Sequence, residues 1–137
     1  MTKTLGIEKI IWVKPGEGIA ASGVIPAEEE FFKDHFPGFP ILPGVLALEM
    51  FRLTADFYLR QAGFDQHRFR ITKIRGVKFS HYLKPGETWE SHLSLISQRE
   101  IEFVWNARMI HEGNTAVSAR LTVEIEKIPT GFTLATL

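Results

Sequence analysis

Across Ile101–Met109 and Val117–Ile125 apolar residues recur at every second position, and that alternation constrains the fold more than any other feature. In Ile101–Met109 the odd positions Ile101, Phe103, Trp105, Ala107 and Met109 fall on one face. After a turn at Glu112-Gly113-Asn114, Val117, Ala119, Leu121, Val123 and Ile125 do the same. A period of two this regular belongs to antiparallel strands with one covered face. Something else in the chain must supply the cover.

The candidate is a helix from Gly44 to near Ala62, with Pro43 at its start and Gly63 in the left-handed stop position. Its first half is apolar nearly all round (Val45, Leu46, Ala47, Leu48, Met50, Phe51, Leu53), which predicts a helix surrounded by other elements. Ile7–Val13 and Ile19–Ile25 read as a hairpin, and Ala27–Phe32 as a single helical turn before the Pro/Gly loop at Phe36–Pro43. Phe69–Phe79 is a long β-rich run with a bulge expected at Gly76. Thr88–Ser97 is a further strand, closed by a tight turn at Gln98-Arg99-Glu100. Lys-Pro-Gly-Glu occurs at Lys14–Glu17 and again at Lys84–Glu87, which reads as shared turn chemistry rather than a repeat. Residues from Ile128 onward read as a loose tail. The expected class is α+β: about six antiparallel strands in a twisted sheet wrapped round one long central helix.

At 137 residues the chain is read as one domain, 1–137, able to bury a core without disulfides or metals. Lysine plus arginine and aspartate plus glutamate balance at 16 each, so no basic excess points to nucleic acid or an anionic membrane. The near-zero net charge does little to oppose self-association. There is no cysteine, which removes disulfides, thiolate nucleophiles and zinc–thiolate sites. The first residues lack the pattern of a secretory signal and no apolar stretch is long enough to span a bilayer, so a cytoplasmic location is expected.

The chemistry-bearing residues sit in and after the Pro/Gly loop. His35 lies in a segment stiffened by Pro37, Pro40 and Pro43 and surrounded by Phe31, Phe32, Phe36 and Phe39, a setting that holds an imidazole neutral and fixed, as a general base requires. Taken alone, a loop histidine is more often structural. Glu49, on the helix, has Leu48, Met50 and Phe51 beside it; a carboxylate desolvated there would have a raised pKa and could act as an acid. Its plain alternative is a surface ion pair with Arg52 at i+3. Gly44 opens the helix, where the first amides lack intrahelical partners and can donate to an oxyanion. Base, acid and oxyanion donors together define proton abstraction alpha to a carbonyl with loss of a group from the beta carbon.

The run Phe32-Lys33-Asp34-His35-Phe36-Pro37-Gly38-Phe39-Pro40-Ile41-Leu42-Pro43-Gly44-Val45-Leu46-Ala47-Leu48-Glu49 resembles the signature of the 3-hydroxyacyl-[acyl carrier protein] dehydratases of fatty acid synthesis. Ile74-Arg75-Gly76-Val77-Lys78-Phe79 with Pro85-Gly86-Glu87 resembles their next segment, so the match is strongest across residues 31–87. The resemblance implies a hot-dog fold, with the sheet as bun and the helix as filling. It implies homodimers, often trimers of dimers, in which His35 of one subunit faces Glu49 of the other. It implies an acyl chain entering a tunnel near Phe36, Phe39 and Pro40, with the thioester oxygen held at the amides of Gly44 and Val45. The substrate carries its own phosphopantetheine, on acyl carrier protein or coenzyme A, so no cofactor and no metal are expected. The isomerising branch of the family carries aspartate where this chain has Glu49, which favours simple dehydration.

Three departures stand out. Asp34 replaces the family's usual glycine before the histidine, Ser80-His81-Tyr82 replaces a common Arg-Pro, and the usual N-terminal Pro-His-Arg-Tyr-Pro-like segment is missing. They point to a specialised acyl or polyketide-like pathway rather than the housekeeping enzyme. The rival readings are a hot-dog thioesterase, in which Glu49 or Asp34 activates water, and a non-catalytic acyl-binding subunit. His67, His81, His92 and His111 show no metal-ligand spacing and read as surface or turn residues. Arg68, Arg70, Lys73, Arg75 and Lys78 make a basic strand, either a solvated edge or, through Arg75 and Lys78, a docking site for an acidic carrier.

Overall fold

The computed structural model describes residues 7–25, 44–64, 67–84 and 86–126. The elements run β1 (Ile7–Lys14), β2 (Gly18–Val24), α1 (Gly44–Gln61), β3 (Arg68–Phe79), β4 (Thr88–Arg99), β5 (Glu102–His111) and β6 (Asn114–Glu126). The strands form one six-stranded sheet in the order β1-β2-β4-β5-β6-β3, and every neighbouring pair is antiparallel. This is the hot-dog arrangement. The helical turn expected at Ala27–Phe32, the Pro/Gly loop and the C-terminal tail lie outside the described residues.

The alternating runs seen in the sequence are direct neighbours. Phe103 pairs with Val123, Trp105 with Leu121, Ala107 with Ala119 and Met109 with Val117, so both inward rows merge into one apolar surface. α1 packs on it with Ala47, Met50, Phe51, Ala55, Tyr58 and Leu59, all buried and spaced as one face of a helix. Tyr58 meets Trp105 edge-on with ring centroids 4.9 Å apart, and its hydroxyl accepts a 2.8 Å hydrogen bond from the Gly16 amide in the β1–β2 turn. A buried polar tie lies beside them. Thr54 donates to the Met50 carbonyl at 2.8 Å; its single proton thus used, Ser91 is the donor in the 3.0 Å contact between the two hydroxyls.

The end of α1 is built as expected. The Gly63 amide donates to the Arg60 carbonyl at 3.2 Å and the Phe64 amide to Leu59 at 3.0 Å, the paired bonds of a Schellman stop, with Gly63 at φ 104°. The two Lys-Pro-Gly-Glu segments close in the same way: Glu17 N–H donates to Lys14 C=O at 2.9 Å, and Glu87 N–H to Lys84 C=O at 3.1 Å. The register of β3 on β6 slips between Arg75 and Lys78, the bulge read at Gly76.

Three expectations are corrected. α1 has 18 residues, within the ordinary range of globular helices rather than long. Its cover is also uneven: Leu46, Leu48 and Leu53 pack against the core yet are only half-buried, as are Glu49 and Arg52, and Phe57 is exposed, because the sheet shields one face fully. The β4–β5 turn comes later than read. Arg99 pairs with Glu102 around Glu100-Ile101, since an irregularity between Leu95 and Ser97 takes up a residue. Ile101 therefore leaves the inward row and stands exposed.

Gly18 lies tight against the backbone of β4. A Cβ there would lie 2.1 Å from the Leu93 carbonyl oxygen, at a φ of +156°. Gly18→Ala is expected to lower stability by about 1–3 kcal/mol, the usual cost of forcing extra atoms into packed structure. Urea unfolding reads this, and an unchanged midpoint would contradict the close approach.

Candidate active site

α1 supplies the described part of the site. Gly44 and Val45 open the helix, so their amides are among those without an intrahelical partner. Glu49 follows on the side of the helix that the sheet leaves uncovered. His35, Phe36, Phe39 and Pro40 lie outside the described residues.

The plain alternative for Glu49 is present in the structure. Arg52 Nε donates to Glu49 Oε1 at 2.8 Å and Arg52 Nη2 to Oε2 at 2.6 Å, a fork in which both carboxylate oxygens are occupied. The side chains are 40% exposed for Glu49 and 29% for Arg52, so the expectation of a desolvated carboxylate does not describe this chain by itself. The hydrogen bond to Glu49 is the main cause that raises the Arg52 guanidinium above its usual pKa, with burial opposing it and the charges of Glu49 and Asp56 assisting. Asp56 sits one turn further on and pairs with Arg60 at 3.2 Å. This side of α1 thus combines a charged stripe with part-exposed Leu48, Leu53 and Phe57.

Arg75 and Lys78 are exposed on β3, an edge strand whose Ile74, Val77 and Phe79 are also open. The structure adds neighbours that the sequence reading did not single out. Arg75 pairs in register with Arg120, and Arg120 with Asn106. Their outward placement was implicit in the alternation; their adjacency depends on strand order, which the alternation does not carry. Among the described residues, no group of three or more His, Asp or Glu side chains is placed to hold a metal, and no helix is long and apolar enough to cross a membrane.

A six-stranded antiparallel sheet packed on α1, the one helix among the described residues, makes this a hot-dog protomer with a carboxylate on the helix face away from the sheet. The profile of the ApeI-like family, described as ApeI dehydratase, matches residues 13–120, and the chain belongs to that family. It is 30% identical over 119 residues to the 3-hydroxyacyl-[acyl-carrier-protein] dehydratase FabZ of Lactobacillus helveticus, covering 86% of this chain and 80% of that one. Among solved structures it is similar to the dehydratase heterocomplex ApeI:P from Xenorhabdus doucetiae, with TM-score 0.78 and 15% identity over 95% of this chain and 88% of that one. A putative thioesterase from Lactococcus lactis has TM-score 0.73 and 13% identity, covering 94% of this chain and all of that one, 100%. At these identities the two structures bear on the fold alone.

A half-exposed ion pair contributes little to stability, typically below about 1 kcal/mol. Glu49→Gln is therefore expected to leave the unfolding midpoint within that margin, as measured by thermal and urea melts. A loss of several kcal/mol would make Glu49 a structural residue first.

Proposed function

We propose that this chain, acting as a single hot-dog domain, dehydrates 3-hydroxyacyl thioesters carried on acyl carrier protein to trans-2-enoyl thioesters. His35 takes the alpha proton. The developing enolate oxygen rests on the amides of Gly44 and Val45. Glu49 protonates the departing beta hydroxyl, so the bond changes sum to one carbon–carbon double bond formed and one water lost. No cofactor is required, because the substrate's phosphopantetheine serves as tether. The observation that carries the reading is the placement of Glu49 on the open side of α1, one helix turn beyond the free amides at its start, in a chain of the ApeI-like dehydratase family.

For Glu49 to act as an acid, Arg52 must release at least one carboxylate oxygen, since both are engaged in the isolated chain. A homodimer supplies the occasion. The open side of α1 and the exposed Ile74, Val77 and Phe79 of edge strand β3 are surfaces that a second copy would cover. The reaction then takes place in the cytoplasm, where thioester substrates are made.

Incubation with a panel of 3-hydroxyacyl thioesters, read by mass, is expected to show loss of water; release of free thiol would instead establish a thioesterase, and no change an acyl-binding subunit. General acid–base groups contribute about 10²–10⁴-fold each, so His35→Ala and Glu49→Gln are each expected to reduce turnover by that order. Normal turnover of His35→Ala would refute the assignment. Val77→Glu, which places a charge on the open edge of β3, is expected to shift the protein from dimer to monomer in sedimentation velocity. An unchanged dimer would remove β3 from the interface.

A further inference from the structure

On the face of the sheet turned away from α1, the side chains of Arg75, Ser94, Asn106, Arg108, Ser118 and Arg120 line a groove of about 560 Å³. Strand register explains how residues so far apart in sequence converge. Arg75 lies opposite Arg120, Arg120 opposite Asn106 and Ser118 opposite Arg108, and Asn106 opposite Ser94. The three guanidinium groups thus share two adjacent cross-strand rows.

Such a cluster is unfavourable by itself, because like charges directly opposite one another on a sheet destabilise it. Among the described residues, none of Arg75, Arg108 and Arg120 has an ion pair or a side-chain hydrogen bond. Among the described residues, the nearest carboxylates along β5 and β6 are Glu102 and Glu124, four positions from Asn106 and Arg120, about 13 Å at strand spacing; on β4, Glu90 stands two positions from His92, the residue opposite Arg108. Glu90 is engaged with His92 at 2.8 Å, and Glu124 accepts from the Thr72 hydroxyl at 3.3 Å.

We propose that this outer-face groove, built by Arg75, Arg108 and Arg120, is a binding site for a compact polyanion of the phosphate class. Guanidinium groups match phosphate oxygens with paired, planar donors, and Ser94, Ser118 and Asn106 add neutral hydrogen-bonding groups between them. The groove favours a small ligand over a docked acidic protein for a stated reason. Protein interfaces rest on buried aromatic or aliphatic anchors, and among the described residues the apolar side chains lining this groove are the alanines Ala107 and Ala119, which are buried towards the core. The site is separate from Glu49 and does not depend on the dehydratase reading.

The test is isothermal titration of the intact protein with inorganic pyrophosphate at low salt, alongside Arg108→Gln and Arg120→Gln. The wild-type protein is expected to bind, each substitution to weaken binding tenfold or more, and added sodium chloride to weaken it further. Melting curves without ligand serve as the folding control, and both variants are expected to melt no lower than wild type because a like-charge contact has been relieved. Two results overturn the proposal: no pyrophosphate binding by wild type, or binding that neither substitution weakens. Binding of poly-glutamate but not pyrophosphate, lost in Arg120→Gln, overturns it in favour of a protein-docking surface.

Discussion

One side of α1 packed against the apolar face of the sheet is the contact on which everything else rests. Met50, Phe51, Tyr58 and Leu59 enter a surface made by Leu93, Phe103, Trp105, Met109 and Leu121. Shortening one such side chain costs about 2–5 kcal/mol, against a total stability of about 5–15 kcal/mol for a domain. The helix therefore has little freedom to rotate or slide. The Gly16–Tyr58 hydrogen bond and the Thr54–Ser91 hydroxyl pair fix its register where apolar contact alone would not.

That fixed orientation decides what the opposite side of the helix can present. Seven buried positions at helical spacing (Ala47, Met50, Phe51, Thr54, Ala55, Tyr58 and Leu59) leave Glu49, Arg52 and Asp56 facing away from the sheet. Glu49 is then held at a defined place by a fork from Arg52, half in water, close to the amides at the helix start. An ion pair at this level of exposure is weak, so releasing Glu49 from Arg52 asks little of the fold.

The inner face of the sheet was legible because its signal is local. The alternation through Phe103–Met109 and Val117–Ile125 predicts the inward rows without knowledge of strand order, and Gly63 and Gly76 mark a stop and a bulge by backbone need. The match failed at Ile101, where a bulge in the preceding strand moved the turn so that Ile101 falls within it. The helix was read as surrounded because Leu46, Leu48 and Leu53 are apolar, yet composition does not say whether the cover comes from the same chain. Glu49 and its rival role with Arg52 were both visible at i+3 spacing. The arginine groove was not: Arg75, Arg108 and Arg120 come from three strands, and only the pairing of β3 with β6 and β6 with β5 unites them.

We propose that Glu49 on the open face of α1 is completed by His35 of a second subunit. Mixing inactive His35→Ala and Glu49→Gln subunits, with unfolding and refolding to exchange them, tests it directly. In a two-fold dimer with shared sites, half the reassembled dimers are mixed and each holds one intact site, so about a quarter of wild-type dehydration should return. If the mixture stays as inactive as its components, while sedimentation shows that subunits have exchanged, the site is not shared between protomers and the account is wrong.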